Sequence, residues 1–421
     1  MPQTSPVLLN MEKVLPDRNS HENSRTIRTL DKVIQFSLFT FAAFSMFSIS
    51  ITQISFAIGA LASLFKAHLT KSWKELRGTC VGLAISCFCL ACVLSIITSV
   101  DFEGSLKILK KLLQFIILFW VANSVQDEKQ RDLIIKLVII AGAVTALNGL
   151  LPLLKPSLFS PEDLYAGGSR LTGTLGVPAT FSGVLMIAGL ATFGRLLFHR
   201  HKEYWVLMCL GFIGFCLLLT ITRQAWLGFF IGSVFLLYFW NKKYLLLIPI
   251  LLVGLIVFGP DNIKTRLQSF TNLKDIALQQ RISTWKGGWE IFKDHPITGC
   301  GFKCVDSIHS QYPDPSKYIA RFRGMHSNLF QLLVDTGIVG LGTWLSIWIA
   351  YFSTIFKRLR TLIQEKSQDN AGILLGSSAA VLAFLVGGFF ETSIYDSEIT
   401  MLLYFLMGLS LTQVKTVSAV K

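Results

Sequence analysis

Charge is scarce in this chain. Asp, Glu, Lys and Arg make up only 15% of its 421 residues, against 52% hydrophobic residues and a mean hydropathy of +0.56. Soluble domains carry roughly a quarter of their residues charged, so a water-soluble globule is excluded. Alternating apolar and polar residues are also missing, which excludes a transmembrane barrel. The polar first 28 residues lack the charged, apolar and small-residue order of a cleavable signal, so the first span is expected to double as the insertion signal. No Cys/His cluster has zinc spacing, and paired carboxylates are nearly absent. The best pair is Asp101-Phe102-Glu103, readable as a cation site or as a short acidic turn.

What the chain does have is continuous apolar runs of helical length. Each is long enough to cross a hydrocarbon core of about 30 Å, and backbone groups inside lipid are satisfied within a helix. Spans are expected near 31–49, 51–66, 77–98, 106–123, 132–153, 178–198, 203–220, 224–240, 244–259, 333–356, 371–390 and 397–414. The chain thus reads as an all-α polytopic membrane protein of about twelve transmembrane helices. It divides into an N-terminal bundle of nine spans (1–259), a large helical loop (260–332) and a C-terminal bundle of three (333–421). Lys/Arg clusters in the N-terminal tail, Lys66–Arg77, Arg195–Lys202, Lys242–Lys243 and Lys357–Arg360 fall on one side when these spans are threaded. By the positive-inside rule that side is the cytoplasm and holds both termini. The net charge of +14 is therefore topology information and not a nucleic-acid signal. Lys107, Lys110 and Lys111 fit less well, and either snorkel toward headgroups or meet a phosphate.

The outward loop is the one long polar segment, with ten Lys/Arg against six Asp/Glu between Gly259 and Gln331. It suits a bulky anionic substrate, or simply faces anionic headgroups. Three outward arginines are candidates for neutralising a diphosphate without a metal: Arg170 in the glycine-rich stretch 167–176, Arg223 in a short hairpin, and Arg281 in the large loop. Trp285 and Trp289, at helical spacing after Arg281, read as an interfacial belt or a sugar platform. His326, in His326-Ser327-Asn328 at the start of an apolar helix, is placed near several basic residues. There its neutral form, able to accept a proton, is expected to be favoured. Cys300 and Cys304 share the outer loop, where a bridge is conceivable but i,i+4 spacing in a helix suits one poorly. The other cysteines lie in or beside spans and read as small packing residues.

Five segments occur in the order found in the O-antigen ligase/polymerase family. They are Arg170-Leu-Thr-Gly-Thr-Leu-Gly-Val-Pro178, Thr222-Arg223-Gln-Ala-Trp, Arg281-X3-Trp285, Pro296-Ile-Thr-Gly299-Cys-Gly301 and His326-Ser-Asn328. The resemblance covers residues 165–340 by motif and the remainder by topology, and within the family it is closer to the ligases of lipopolysaccharide assembly. It implies a fold similar to the membrane-embedded C class of glycosyltransferases, needing no metal or other cofactor. It implies an inner-membrane enzyme with a periplasmic site, moving O-antigen from an undecaprenyl diphosphate-linked donor to a lipid A-core acceptor. Arg170, Arg223 and Arg281 would hold the diphosphate and His326 would activate the acceptor hydroxyl. Asn328, Trp285, Trp289, Gly299 and Gly301 would support them. Ser327 departs from the family pattern, in which His is often followed directly by Asn. An O-antigen polymerase and a lipid-linked glycan transporter are the alternatives. The transporter is disfavoured because the halves do not repeat and no charge lies in mid-span.

Overall fold

The computed structural model describes residues 18–72, 79–154, 171–249, 253–254, 264, 275–364 and 368–412. Among these residues there is no β-strand. The helices are α1 (Arg18–Phe44), α2 (Ile49–Leu69), α3 (Cys80–Ile97), α4 (Phe102–Leu106), α5 (Leu109–Leu112), α6 (Phe115–Ser124), α7 (Glu128–Leu154) and α8 (Pro178–Phe198). They continue with α9 (Tyr204–Leu219), α10 (Arg223–Trp240), α11 (Ile276–Asp294), α12 (Cys304–Ile308), α13 (Tyr318–Phe322), α14 (Asn328–Gln364), α15 (Gln368–Gly387) and α16 (Ser397–Leu411).

Six of them, α2, α3, α7, α8, α14 and α15, are long and apolar enough to cross a membrane, and α9 and α16 are shorter apolar helices. The chain is a helical membrane protein. Half of the expected ninth span, 244–259, lies outside the described residues, as do the stretch 260–274 (Lys264 apart) and Arg170. The expected span 106–123 is not continuous: α4, α5 and α6 divide it. The reason is polar. Lys111 Nζ donates to the Tyr395 carbonyl and to Ser397 Oγ (3.0 Å), and Gln114 Nε2 donates to the same hydroxyl at 2.8 Å. Lys111 thus ties a distant loop down and is not free to reach headgroups.

α8 and α16 are buried along almost their whole length and form the centre of the bundle. α8 packs on α15 through small residues: a Cβ on Gly194 would lie 2.6 Å from Gly376 Cα. Such contacts let helix backbones approach in lipid, where apolar side chains gain little by leaving hydrocarbon. Leu61, Leu83, Leu90 and Ile54 point outward instead and form part of the lipid-facing surface.

The bundle has two chemically different ends. At one, Arg195 pairs with Asp132 and Glu203 (both 2.6 Å), His199 meets Asp369, and Arg358 Nη1 donates to the Ser410 carbonyl. At the other end lie α11–α13 and the loop 388–396. The basic clusters around 195–200 and 358 therefore sit opposite His326, as the alternation of charge anticipates.

Candidate functional site

The site is built around a break in α14. Gly337 has φ +62° and ψ −166°, a conformation essentially reserved for glycine, and it interrupts the helix within its apolar length. Two helical hydrogen bonds are lost there, and both carbonyl–amide pairs find partners in residues 296–301. Cys300 N donates to Val334 O (3.0 Å) and Gly301 N to Asp335 O (3.1 Å), while Ile338 N donates to Pro296 O (3.0 Å) and Val339 N to Ile297 O (3.3 Å). Gly299 permits the approach, since a Cβ there would sit 2.4 Å from the Asp335 carbonyl carbon. Gly299 and Gly301 thus patch a helix, and their place in the site is indirect. Cys300 and Cys304 form a disulfide with Cα atoms 5.7 Å apart. Cys300 precedes α12 in a loop, with Gly301 at φ +96° and Lys303 at φ +60°, so the objection to i,i+4 bridging within a helix does not apply.

Two residues before the break, Asp335 is fully buried. It lies near the start of α14, which begins at Asn328. Its carboxylate accepts from Gln331 Nε2 (3.0 Å to each oxygen) and from the Tyr395 hydroxyl (2.6 Å). Burial, then the neighbouring Asp335 charge, push the Tyr395 phenol well above its ordinary range and keep it a donor. Gln331 Oε1 in turn accepts from Met325 N at 3.0 Å, bracing the residue before His326.

His326 is not in the first helical turn as expected, but two residues ahead of α14, with φ +47°. A left-handed conformation costs a non-glycine residue roughly 1–2 kcal/mol. Here Ser327 N donates to Thr392 Oγ1 (3.1 Å) and Asn328 N to the Gly388 carbonyl (2.7 Å), locking the turn against the loop 388–396. Asn328, 1% exposed, accepts through Oδ1 from Ser393 N (2.8 Å) and Ile394 N (3.0 Å). With Ser327 between them, Asn328 fastens that loop while His326 faces outward.

The loop carries the residue that sequence reasoning missed. His326 Nδ1 lies 3.3 Å from Glu391 Oε1. A carboxylate only accepts, so in the neutral imidazole Nδ1 bears the hydrogen and Nε2 keeps the lone pair. Gln224 Nε2 (3.3 Å) and Thr392 N (3.3 Å) donate to the two Glu391 oxygens and hold the carboxylate in place. Phe322 meets the imidazole edge-to-face at 5.3 Å.

Two of the three expected arginines reach this end. Arg281 Nε donates to the Phe390 carbonyl (2.8 Å), next to Glu391. Arg223 Nη2 pairs with Asp275 at 2.8 Å, and Asp275 also caps α11. Trp285 Nε1 donates to the Met325 carbonyl (2.8 Å) and its ring stacks on Phe330 at 5.0 Å. Trp289 stands one turn further out, 47% exposed. Asp101 caps α4 through Gly104 N (2.9 Å), a structural use of the acidic turn. Among the described residues, no group of three or more His, Cys, Asp or Glu side chains is placed to hold a metal ion.

Held together are an imidazole with a free nitrogen, a carboxylate orienting it, and guanidinium groups nearby. Such an arrangement is chemically able to accept a proton and to balance negative charge. Residues 206–345 match the family model described as O-antigen ligase. They span α9, α10, α11, the helix patch and the His326 turn. No curated protein matches the chain.

Proposed function

Since residues 206–345 match the O-antigen ligase family model, we propose that the chain belongs to that family and transfers O-antigen polysaccharide from undecaprenyl diphosphate to a lipid A-core sugar. The observation that carries this reading is the His326–Glu391 pair set beside Arg281 and Arg223 at one end of a membrane bundle. In the proposed step an acceptor hydroxyl attacks the anomeric carbon of the first donor sugar. His326 Nε2 takes the hydroxyl proton as the new carbon–oxygen bond forms, and the bond from that carbon to the diphosphate oxygen breaks. Attack opposite the leaving group inverts the anomeric centre. Arg223 and Arg281, joined by Arg170, balance the charge of the departing undecaprenyl diphosphate. Glu391 steadies the imidazolium, a carboxylate role shared with catalytic triads. The chemistry needs no metal.

The reading places the site on the periplasmic face of the inner membrane, with both termini cytoplasmic, about twelve spans and a fold of the membrane-embedded C class. The basic clusters at the opposite end of the bundle support that orientation. An O-antigen polymerase would use the same donor chemistry on a different acceptor.

The test combines purified protein, lipid-linked O-antigen and either rough lipopolysaccharide or a second lipid-linked repeat, with EDTA present. Capped lipopolysaccharide should form as a ladder. His326→Ala should lower transfer by about 10²–10⁴-fold while donor binding persists. Transfer only to the lipid-linked repeat, or a fully active His326→Ala enzyme, would overturn the proposal.

A further inference from the structure

A groove of about 730 Å³ runs along the outward face of α11, between that helix and residues 313–318. Its volume is within the roughly 300–1,000 Å³ usual for ligand pockets. Trp285, Trp289 and Tyr318 line it, interleaved with Gln279, Ser283 and Ser316. Its two charges, Lys286 and Glu290, are of opposite sign, so its lining is balanced and does not favour a phosphate. Flat aromatic faces set among amides and hydroxyls suit a neutral ligand with an apolar face and a hydroxylated rim, which is the surface of a pyranose ring.

The groove is firm and connected to the site. Gly287 seats α11 on α13 so closely that a Cβ would lie 1.7 Å from Ile319 Cδ1. Ser283 and Ser316 share a hydrogen bond of 2.5 Å across the groove. Trp285 is fixed at the inner end by its bond to the Met325 carbonyl, the residue adjoining His326. Trp289, at the outer end, has nearly half its surface exposed, and its ring packs against Phe292 at 5.2 Å. A membrane-interface belt would use the same tryptophans, but a concave wall with polar groups between the rings favours a saccharide over a flat lipid surface.

We propose that this groove is a saccharide-binding subsite, holding sugar residues that lie beyond the one reacting at His326. The inference rests on the glycosyl-transfer reading above and adds where the glycan chain runs. The saccharide is either the donor's repeat units or the acceptor's core oligosaccharide, and the experiment separates them.

Lipid-free O-polysaccharide fragments and delipidated core oligosaccharide are each titrated against detergent-purified protein by equilibrium dialysis. Wild type, Trp289→Ala, Trp289→Phe and His326→Ala are compared, with transfer kinetics measured in parallel. One of the two saccharides should bind, and Trp289→Ala should weaken it by about tenfold or more, as for other aromatic anchors. Trp289→Phe should keep most of the affinity, and His326→Ala all of it. In transfer, Trp289→Ala should raise KM for the substrate bearing that saccharide and leave kcat nearly unchanged. If neither saccharide binds, or Trp289→Ala binds like wild type, the subsite is wrong. Quenching of Trp289 by brominated lipid in nanodiscs, unaffected by saccharide, would assign it to the membrane surface instead. Saccharide binding lost in Trp289→Ala but normal transfer in His326→Ala would keep the groove and refute the transfer mechanism.

Discussion

Replacing Glu391 by Gln isolates the role of a charge, because the side chain keeps its size. Thr392 N and His326 Nδ1 both approach Oε1, while Gln224 Nε2 approaches Oε2. The amide oxygen of the variant therefore takes the Oε1 position, still accepts from Nδ1–H, and leaves the tautomer unchanged. The Gln224 amide turns over to accept. What disappears is attraction between the carboxylate and the imidazolium formed as the proton is taken. At the observed 3.3 Å that attraction is about 1.3 kcal/mol at the dielectric of water and about 5 kcal/mol at an effective value near 20. The imidazole side chain is 35% exposed and the carboxylate 22%, so solvent screens the pair and the lower half of this range applies. About 1.5–3 kcal/mol corresponds to roughly a ten- to hundredfold slower transfer. Glu391→Ala should be slower still, since it leaves the Gln224 and Thr392 donors without their acceptor. The assay is the initial rate of ladder formation with saturating donor, alongside donor affinity. A Glu391→Gln enzyme at the wild-type rate would show that the carboxylate has no part in the proton transfer.

Arg281→Lys should recover little of the activity lost in Arg281→Ala, because an ammonium cannot both hold the Phe390 carbonyl and present a planar fork to phosphate. A loss of about tenfold or more is expected in transfer rate, and full rescue by lysine would leave only general positive charge as the explanation. Gly337→Ala should reduce the yield of folded protein, since its Cβ would lie 2.3 Å from the Ile297 carbonyl oxygen and its backbone is strained for any side chain. The cost is roughly 3 kcal/mol or more, and an unchanged thermal midpoint in detergent would contradict it. Burial, and after it the neighbouring Glu398 carboxyl, raise Asp396 from 3.8 to about 7 against the opposing bond from Thr180. A raised carboxyl stabilises the fold while protonated, so this contribution is lost as pH rises toward and through that value. Wild type should melt lower near pH 8 than near pH 6, and Asp396→Asn should shrink the difference. An equal difference in the variant would remove Asp396 as its source.

The helical membrane class was legible because it rests on a local signal, and His326, Arg223 and Arg281 could be named as candidates for the same reason. Apolar runs mark helices, and isolated polar residues stand out among them. Glu391 was not legible as a partner, since 65 residues separate it from His326 and no spacing rule joins them. Its only sign was an acid in a short connection between apolar helices. Asp335 had a stronger sign, a carboxylate four residues after Gln331 in an apolar helix, where a charge needs a partner. That Gly299 and Gly301 close on the backbone of α14 was not legible, because a glycine's spacing does not tell which backbone it admits. The divided span at 106–123 fails for a related reason: Lys111 and Gln114 bond to residues near 395–397, which hydropathy alone does not reveal.

The patched break in α14 bears on how the protein is made. Residues 296–301 precede α14 in the chain, so they are synthesised before the helix whose missing hydrogen bonds they supply. A span released into lipid with two amide–carbonyl pairs open would be penalised by several kcal/mol for each unsatisfied group. The earlier segment can close those bonds while the helix is being inserted, before it is exposed to lipid on all sides. Membrane integration of α14 and folding of the outer segment ahead of it thus become one event. A chain truncated or altered in residues 296–301 would then fail at insertion, before any question of catalysis arises.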